Sequence, residues 1–193
     1  MIKALFKFTK NIPADACVVD TTLNNGKFEN LSPFILSAPP AKRFENLWQY
    51  SKVYKGQTTL TDSDSLDIIP STAWYSWREK GFNDPIAHRY PMGKGAIPLF
   101  SYWNGKRLDY IQARKQIYIP EYIKNVSTTN DFKLLASLYH SITEANRDLI
   151  LLDYDAYDHQ ELGMTLKDVV NNPKRKCGHA FVLLSLLTGG ELL

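Results

Sequence analysis

The chain has 193 residues, of which 44% are hydrophobic and 22% are charged, and its formal net charge is +3. This composition is typical of an ordinary folded domain, and the small net charge argues against a protein that coats DNA. Cys17 and Cys177 lie too far apart in sequence to form a metal-binding pair, and we expect both thiols to be reduced. No apolar run approaches the ~20 residues of a membrane span and no signal peptide is recognised, so we expect a cytoplasmic protein.

The N-terminal part predicts short strands, loops and one helix. Ile2–Phe8 and Ala16–Asp20 alternate or cluster apolar residues, as short strands do. Asn24–Gly26 is a turn signal, and Ala38–Pro40 interrupts regular structure before the next element. A helix is then predicted over Phe44–Tyr54, with an apolar face that packs on the core.

The predicted helix places three polar side chains in one row. A helix turns about 100° per residue, so Glu45 and Lys52 are nearly in line, with Gln49 between them. A carboxylate, an amide and an ammonium beside the large ring of Trp48 suit a polar small-molecule site. The alternative is an ordinary amphipathic surface helix whose charged side chains lie in water.

The middle of the chain carries fewer regular signals. Thr58–Asp67 predicts a polar loop or short strand, and Trp74–Tyr110 is rich in aromatic residues, glycine and proline without a clear period. Such a long irregular stretch is usually functional or conceals an unrecognised element, and its aromatic rings suit either a core or stacking on a base. Basic residues among glycines suit a phosphate group, and one short span beside Gly93, Gly95 and Gly105 contains Arg89, Lys94, Lys106, Arg107, Arg114 and Lys115.

The C-terminal part predicts four helices and one buried strand. The helices are predicted over Asp109–Ile117, Thr129–Tyr139, Met164–Val170 and Gly178–Leu187. The first helix is expected to end at Pro120, and the apolar run Leu149–Leu152 predicts a buried strand. Residues 1–193 are therefore predicted to form a single compact α+β domain, mostly helical with a few short strands.

Three aspartates follow the predicted buried strand: Asp153, Asp155 and Asp158. The end of a strand holds side chains rigidly, and two facing carboxylates can cleave a glycosidic bond. One carboxylate stabilises the positive sugar carbon, while the other activates water or protonates the leaving group. The alternative is that these aspartates cap a helix or coat a loop. The histidines show no metal-ligand spacing, and no Walker loop or dinucleotide fingerprint is present, so neither a metal nor a cofactor is expected.

The row of Glu45, Gln49 and Lys52 resembles the main motif of the NADAR superfamily. These are small N-glycosidase-like domains associated with NAD and ADP-ribose metabolism. Their motif is a Glu-His pair followed by a Gln and a Lys, at offsets of four and seven from the Glu. The three residues of this chain fall on those offsets.

Two further parts of the chain are similar to the family. Asn30–Phe34 resembles its upstream Leu-Ser-Asn-Phe element, and Leu149–Asp158 followed by Gly178–Leu187 resembles its acidic turn and final helix. This chain departs from the pattern at Asn46, where the family has His, and at Pro33, where the family has Asn. The Trp-Gly that usually follows the acidic turn is missing.

The resemblance implies a metal-independent N-glycosidase that hydrolyses a ribose–base or ribose–amine bond in a ribosyl phosphate or ADP-ribosyl compound, including ADP-ribosylated nucleic acid. Glu45 would then be catalytic, together with Asp153, Asp155 or Asp158. The expected substrate-binding residues are Asn30, Trp48, Gln49, Lys52, Arg89, Lys94, Arg114 and Lys115. Two other classes stay open: a module that binds ADP-ribose or a nucleotide without cleaving it, and a nucleic-acid-binding protein that uses the basic, aromatic middle segment.

Overall fold

The structure, a computed structural model that describes residues 1–61 and 67–193, mixes helices and strands along the chain. About 37% of it is helical and 16% is strand, so the fold class is α+β. The strands are β1 (Ile2–Phe6), β2 (Cys17–Asp20), β3 (Lys52–Val53), β4 (Thr58–Leu60), β5 (Ile68–Pro70), β6 (Phe100–Trp103), β7 (Lys106–Leu108) and β8 (Leu149–Asp153). The α-helices are α1 (Phe44–Gln49), α2 (Thr72–Asn83), α3 (Tyr110–Ala113), α4 (Ile119–Val126), α5 (Asn130–Glu144), α6 (Leu166–Asn171) and α7 (His179–Thr188). A 3₁₀ turn covers Glu29–Leu31, and a π-helical turn covers Arg114–Tyr118.

Three parallel strands form the central sheet, in the order β1-β8-β2. All five residues of β8 are buried, which explains why this strand is a continuous apolar run ending in one aspartate. Leu149 is in register with Ile2 on one side and with Cys17 on the other. Since the strands are parallel, their carboxyl ends meet at one edge of the sheet, where the chain continues into polar residues.

The final helix, α7, lies in the centre of the molecule. Its residues 179–185 are all buried, and it packs against β1, β8 and α4. A helix that is apolar on all sides is stable only when other elements surround it. The strands β1, β2 and β8 and the helices α5, α6 and α7 lie where the sequence predicts them, within a few residues at their ends.

The helix predicted over Phe44–Tyr54 is too long, because α1 ends at Gln49. The Ser51 hydroxyl donates a hydrogen bond to the Leu47 carbonyl (2.6 Å), and the next two residues pair with β6 as strand β3. Pairing with a neighbouring strand therefore replaces the last turns of the predicted helix. Lys52 consequently belongs to β3 rather than to the helix that carries Glu45.

The prediction of an irregular stretch over Trp74–Tyr110 is also wrong in part. It contains most of α2 and the antiparallel pair β6–β7, which leaves residues 84–99 without regular structure. The signal for α2 was weak because only three of its residues, Trp74, Gly81 and Phe82, are buried. Of the polar segment Thr58–Asp67, β4 covers the first three residues, and residues 62–66 lie outside the described part.

Pro120 does not end the helix that begins at Tyr110. It lies in the first turn of α4, directly after the π-helical turn. A proline is tolerated there because the N–H groups of a first helical turn need no partner within that helix. Both cysteines are free, and no helix in the described part of the chain is long and apolar enough to cross a membrane.

We predict that Gly81→Ala destabilises the protein, although alanine normally stabilises a helix relative to glycine. A Cβ at Gly81 would lie 2.2 Å from the ring of Tyr50, the residue directly after α1. Overpacking of this kind costs about 1–3 kcal/mol in the free energy of unfolding. Urea unfolding measures the change, with Lys80→Ala on the exposed side of α2 as control. Equal stability of Gly81→Ala and wild type would contradict this packing of α1 on α2.

Candidate functional site

A half-enclosed cavity of about 430 Å³ lies at the carboxyl ends of the parallel strands. Thr22 follows β2, and Tyr154 and Asp155 follow β8, and all three line this cavity. Ligands of sheets with parallel strands commonly bind at this edge. Further lining comes from the segment 24–34, α1, the residues 52–54, the irregular segment 84–99, the helical run 110–118, and the segment before α7 with the first residue of that helix.

The polar row predicted from the sequence exists in the cavity wall. The Lys52 ammonium donates a hydrogen bond to Gln49 Oε1 (2.6 Å), and Gln49 Nε2 donates one to Glu45 Oε1 (2.9 Å). The ammonium also lies 4.8 Å from the centre of the Trp48 ring, within cation–π range. The end of α1 and the start of β3 therefore bring together the row that a longer helix was expected to present.

The two charged ends of this row are both shifted towards their neutral forms. Burial raises the pKa of the Glu45 carboxyl, while the Gln49 hydrogen bond and the charges of Lys52 and Arg89 act in the opposite direction. Burial lowers the pKa of Lys52 to about 8, against the opposing effect of the Glu45 charge. Groups with such shifts in a cavity are candidates for proton transfer near neutral pH.

Asp153 forms a buried ion pair with His179 across the floor of the cavity. His179 Nδ1 donates to Asp153 Oδ2 (3.1 Å), and its Nε2 donates to the carbonyl (3.0 Å) and the hydroxyl (2.7 Å) of Thr21. Burial alone would raise the pKa of Asp153, but the His179 charge and hydrogen bonds from His179, Asp155 and Ala180 lower it to about 2. Burial also opposes the charge of His179, yet Asp153 raises the pKa of its imidazole above the ordinary value. Asp153 is therefore ionised, and His179 neutralises its charge.

Asp155 lies at the mouth of the cavity and contacts two cations. Arg89 Nη2 is 3.2 Å from Asp155 Oδ2, and Lys176 Nζ is 3.0 Å from Asp155 Oδ1. The two cations belong to separate segments, 84–99 and 172–178. The carboxylate therefore links the two segments that border the opening.

Asn46, which stands where the family motif has histidine, points away from the cavity and fixes one of its borders. Its side chain is completely buried, donates to the carbonyls of Asp84 (3.2 Å) and Ile86 (2.8 Å), and accepts the backbone N–H of His88 (2.8 Å). These three hydrogen bonds position the backbone immediately before Arg89. The sequence pattern did not reveal this contact, because the partner segment lies about forty residues further along the chain.

Arg114 lines the cavity, but its guanidinium donates hydrogen bonds to other groups of the protein. It donates to the carbonyls of Val170 (3.1 Å), Asn172 (2.7 Å) and Arg175 and to the hydroxyl of Tyr110 (2.8 Å). These contacts hold the end of α6 and the segment after it. Among the described residues, the structure therefore gives Arg114 a role in positioning this segment.

Several predicted site residues lie elsewhere. Asn30 contacts Asp131, which accepts its backbone N–H (2.8 Å) and its side-chain amide (3.0 Å). Asp158 accepts a hydrogen bond from Lys3 (2.6 Å) and is not part of the cavity lining. Neither Lys94 nor Lys115 lines the cavity. The residues that the structure brings together are Glu45, Trp48, Gln49, Lys52, Arg89, Arg114, Asp153 and Asp155.

Some cavity residues were not identified from the sequence. Lys176 and Tyr154 line the cavity, and the only available signals were the basic run that contains Lys176 and the proximity of Tyr154 to the aspartates. Cys177 also lines it, and burial raises the pKa of this thiol to about 12. It is therefore a neutral thiol at physiological pH rather than a reactive thiolate.

The chain matches no family model, no curated protein and no solved structure. Within residues 1–61 and 67–193, no three His, Cys, Asp or Glu side chains are grouped so as to hold a metal ion.

We predict a pH-dependent stability difference between wild type and Lys52→Met. The pKa of Lys52 is about 8 in the folded protein and about 10.4 in an unfolded chain, so the unfolded chain binds more protons between these values. Wild type therefore gains stability relative to the variant as pH rises from 8 to 10.5, by at most about 3 kcal/mol. Urea unfolding across pH 7–10.5 measures this change, with exposed Lys133→Met as control. Parallel profiles for wild type and Lys52→Met would contradict it.

We predict that Asn46→Ala loosens the segment that leads to Arg89. The backbone N–H of His88 loses its acceptor and the carbonyls of Asp84 and Ile86 lose their donor, which costs about 1–3 kcal/mol in the free energy of unfolding. Hydrogen exchange should be faster at the His88 amide, by roughly tenfold or more. Asn83→Ala, which removes an exposed side-chain bond of the same type, is the control. Unchanged exchange at His88 in Asn46→Ala would contradict the assigned role.

Proposed function

We propose that the protein is a metal-independent N-glycosidase that hydrolyses the C–N bond between ribose and a base or amine in a ribosyl phosphate or ADP-ribosyl compound. The observation that carries the proposal is the pair of carboxylates in one cavity. Glu45 is buried and has a raised pKa, and Asp155 is partly exposed at the opening. The negative charge of Asp155 itself acts to raise the pKa of Glu45, as expected of neighbouring carboxylates.

Glu45 is suited to act as the carboxylate that activates water. Its Oε1 accepts the Gln49 amide, while its Oε2 accepts no hydrogen bond from the described residues. In the proposed step, the water oxygen bonds to the ribose C1 carbon as the C1–N bond breaks, and the electron pair of that bond stays on the leaving nitrogen. Glu45 takes a proton from the water, and the leaving nitrogen receives this proton. Water is thus divided between the sugar, which gains the hydroxyl, and the base or amine, which gains the hydrogen.

The rest of the cavity fits such a substrate in size and chemistry. Asp155 supplies negative charge against the oxocarbenium-like sugar carbon that forms as the bond breaks. The rings of Trp48 and Tyr118, which contact each other edge to face at 5.1 Å, offer an apolar wall to a base or to the sugar. Lys52 and Arg89 provide positive charge for the oxygen atoms of a phosphorylated ligand.

We predict that Glu45→Gln strongly slows turnover without reducing stability. The introduced amide cannot accept the water proton, so we expect the release of free base to fall by about 10²–10⁴-fold. Its oxygen can still accept the Gln49 hydrogen bond and it carries no charge to bury, so the free energy of unfolding at pH 7 should be equal or higher. Chromatographic detection of free base from ADP-ribosylated guanosine and from ribosylamine phosphates tests turnover.

The matched control is Glu144→Gln, an exposed carboxylate at the end of α5 that should retain full activity. If wild type releases no base from any of these compounds, the proposed reaction is wrong. The same conclusion follows if Glu45→Gln is as active as wild type.

A second candidate function is a module that binds ADP-ribose or a nucleotide without cleaving it. The observation that favours it is the engagement of Asp155 by Arg89 and Lys176, since glycosidic cleavage commonly uses two available carboxylates. Tight binding of ADP-ribose by calorimetry, with no release of base from the compounds above over hours, would support this function instead.

A further inference from the structure

The mouth of the cavity carries hydrogen-bond donors that have no acceptor among the described residues. Of the donors of the Arg89 guanidinium, only Nη2 bonds to another described residue, which is Asp155. The Lys176 ammonium bonds to the same carboxylate and to no other described residue, and its side chain is 62% exposed. Since a guanidinium has five N–H donors and an ammonium three, several remain available for oxygen atoms of a ligand.

The carboxylate of Asp155 lies where an anion would contact both cations. The Asp155 N–H donates to Asp153 Oδ1 (3.0 Å) and its carbonyl accepts the Gly178 N–H (3.2 Å), so its backbone is held on both sides. The contacts with Arg89 Nη2 are 3.2 Å and 3.4 Å, which is long for a charge-assisted hydrogen bond. A group with more oxygen atoms and more charge would satisfy these donors better than one carboxylate does.

Other basic residues near this edge are already engaged by the protein. Lys7 contacts the Thr22 hydroxyl (2.6 Å) and the Asp20 carboxylate (3.2 Å). The guanidinium of Arg114 is held by backbone carbonyls, as described above. The Lys52 ammonium, with its hydrogen bond to Gln49, belongs to the polar row in the cavity wall. Among the described residues, Arg89 and Lys176 are the two cations that contact Asp155 and still have donors to spare.

We propose that Arg89 and Lys176 form an anion site at the mouth of the cavity that takes a phosphoryl group, and that Asp155 occupies this site when no ligand is bound. A ligand phosphate contacts both cations and displaces the carboxylate from them. Asp155 thus competes with the ligand and weakens its binding. The three hydrogen bonds of Asn46 keep the backbone before Arg89 in place while its partner changes.

The anion site also indicates which substrates the cavity prefers, and this consequence rests on the proposed function. A phosphorylated substrate neutralises Arg89 and Lys176, which frees the Asp155 carboxylate to face the positive sugar carbon. An unphosphorylated nucleoside leaves Asp155 paired with both cations. Substrates with a phosphate are therefore turned over faster than the corresponding nucleosides.

Binding measurements without turnover test the anion site. Calorimetric titration with inorganic phosphate, pyrophosphate, adenosine 5′-monophosphate and adenosine separates a free anion from a nucleotide as the preferred source of the group. We expect Asp155→Asn to bind pyrophosphate about five- to tenfold more tightly than wild type, because a competing negative charge is removed. Arg89→Met and Lys176→Met should each weaken binding by at least about tenfold.

Two variants outside the cavity serve as controls. Asp158→Asn removes an aspartate that pairs with Lys3, and Lys167→Met removes an exposed lysine that pairs with Glu191. Both should bind pyrophosphate as wild type does. Asp155→Ser provides a second variant without the negative charge, and its thermal melting shows whether the fold is retained.

Weaker or unchanged binding of pyrophosphate by both Asp155 variants would overturn the proposal, as would unchanged binding by Arg89→Met and Lys176→Met. These outcomes are separate from failure of the proposed reaction. If the anion site behaves as expected but no base is released from any substrate, the N-glycosidase proposal fails and the anion site stands. If base is released but the Asp155 variants bind no more tightly, the reaction stands and the anion site is rejected.

Discussion

The ion pair between Asp153 and His179 is the interaction on which the rest of the site depends. It joins the end of β8 to the start of α7, and through the Thr21 contacts of His179 it also ties down the end of β2. A Cβ atom at Gly178 would lie 2.1 Å from Asp153 Oδ2, so this close approach requires the absence of a side chain there. Because a buried charge without its partner costs several kcal/mol, loss of either residue would destabilise this edge of the sheet. The backbone N–H of Asp155 donates a hydrogen bond to Asp153, so the position of Asp155 also depends on this ion pair.

The carboxylates around the cavity differ in what their surroundings allow them to do. His179 neutralises Asp153, and two cations at the opening hold Asp155. Within the described part of the chain, the Glu45 carboxylate accepts its hydrogen bond from the Gln49 amide, and its burial disfavours the charged form. A protein that needed only stability would gain by replacing such a group, so its presence beside Lys52 fits a site kept for function.

Agreement between sequence pattern and structure was best where one local feature dominated. The strand β8 and the helix α7 are long apolar runs that are stable only in the core, and their positions were predicted closely. The end of α1 was not predicted correctly, because pairing of β3 with β6 competes with the helix and depends on residues about fifty positions away. Helix α2 was missed because it has few buried positions, and these can be identified only when the core that they contact is known.

The sequence by itself determined the α+β class, the strands β1, β2 and β8, the helices α5, α6 and α7, and the alignment of Glu45 with Gln49, because these depend on local periodicity. The pairing of β3 with β6 brings Lys52 into the same row. Only the tertiary structure decided which charged residues share the cavity. It places Arg89 and Lys176 on one carboxylate, while Lys3 takes Asp158 away from the site. The physical reason is that the role of a charged side chain depends on the groups that pair with it, and these groups come from segments far apart in the chain.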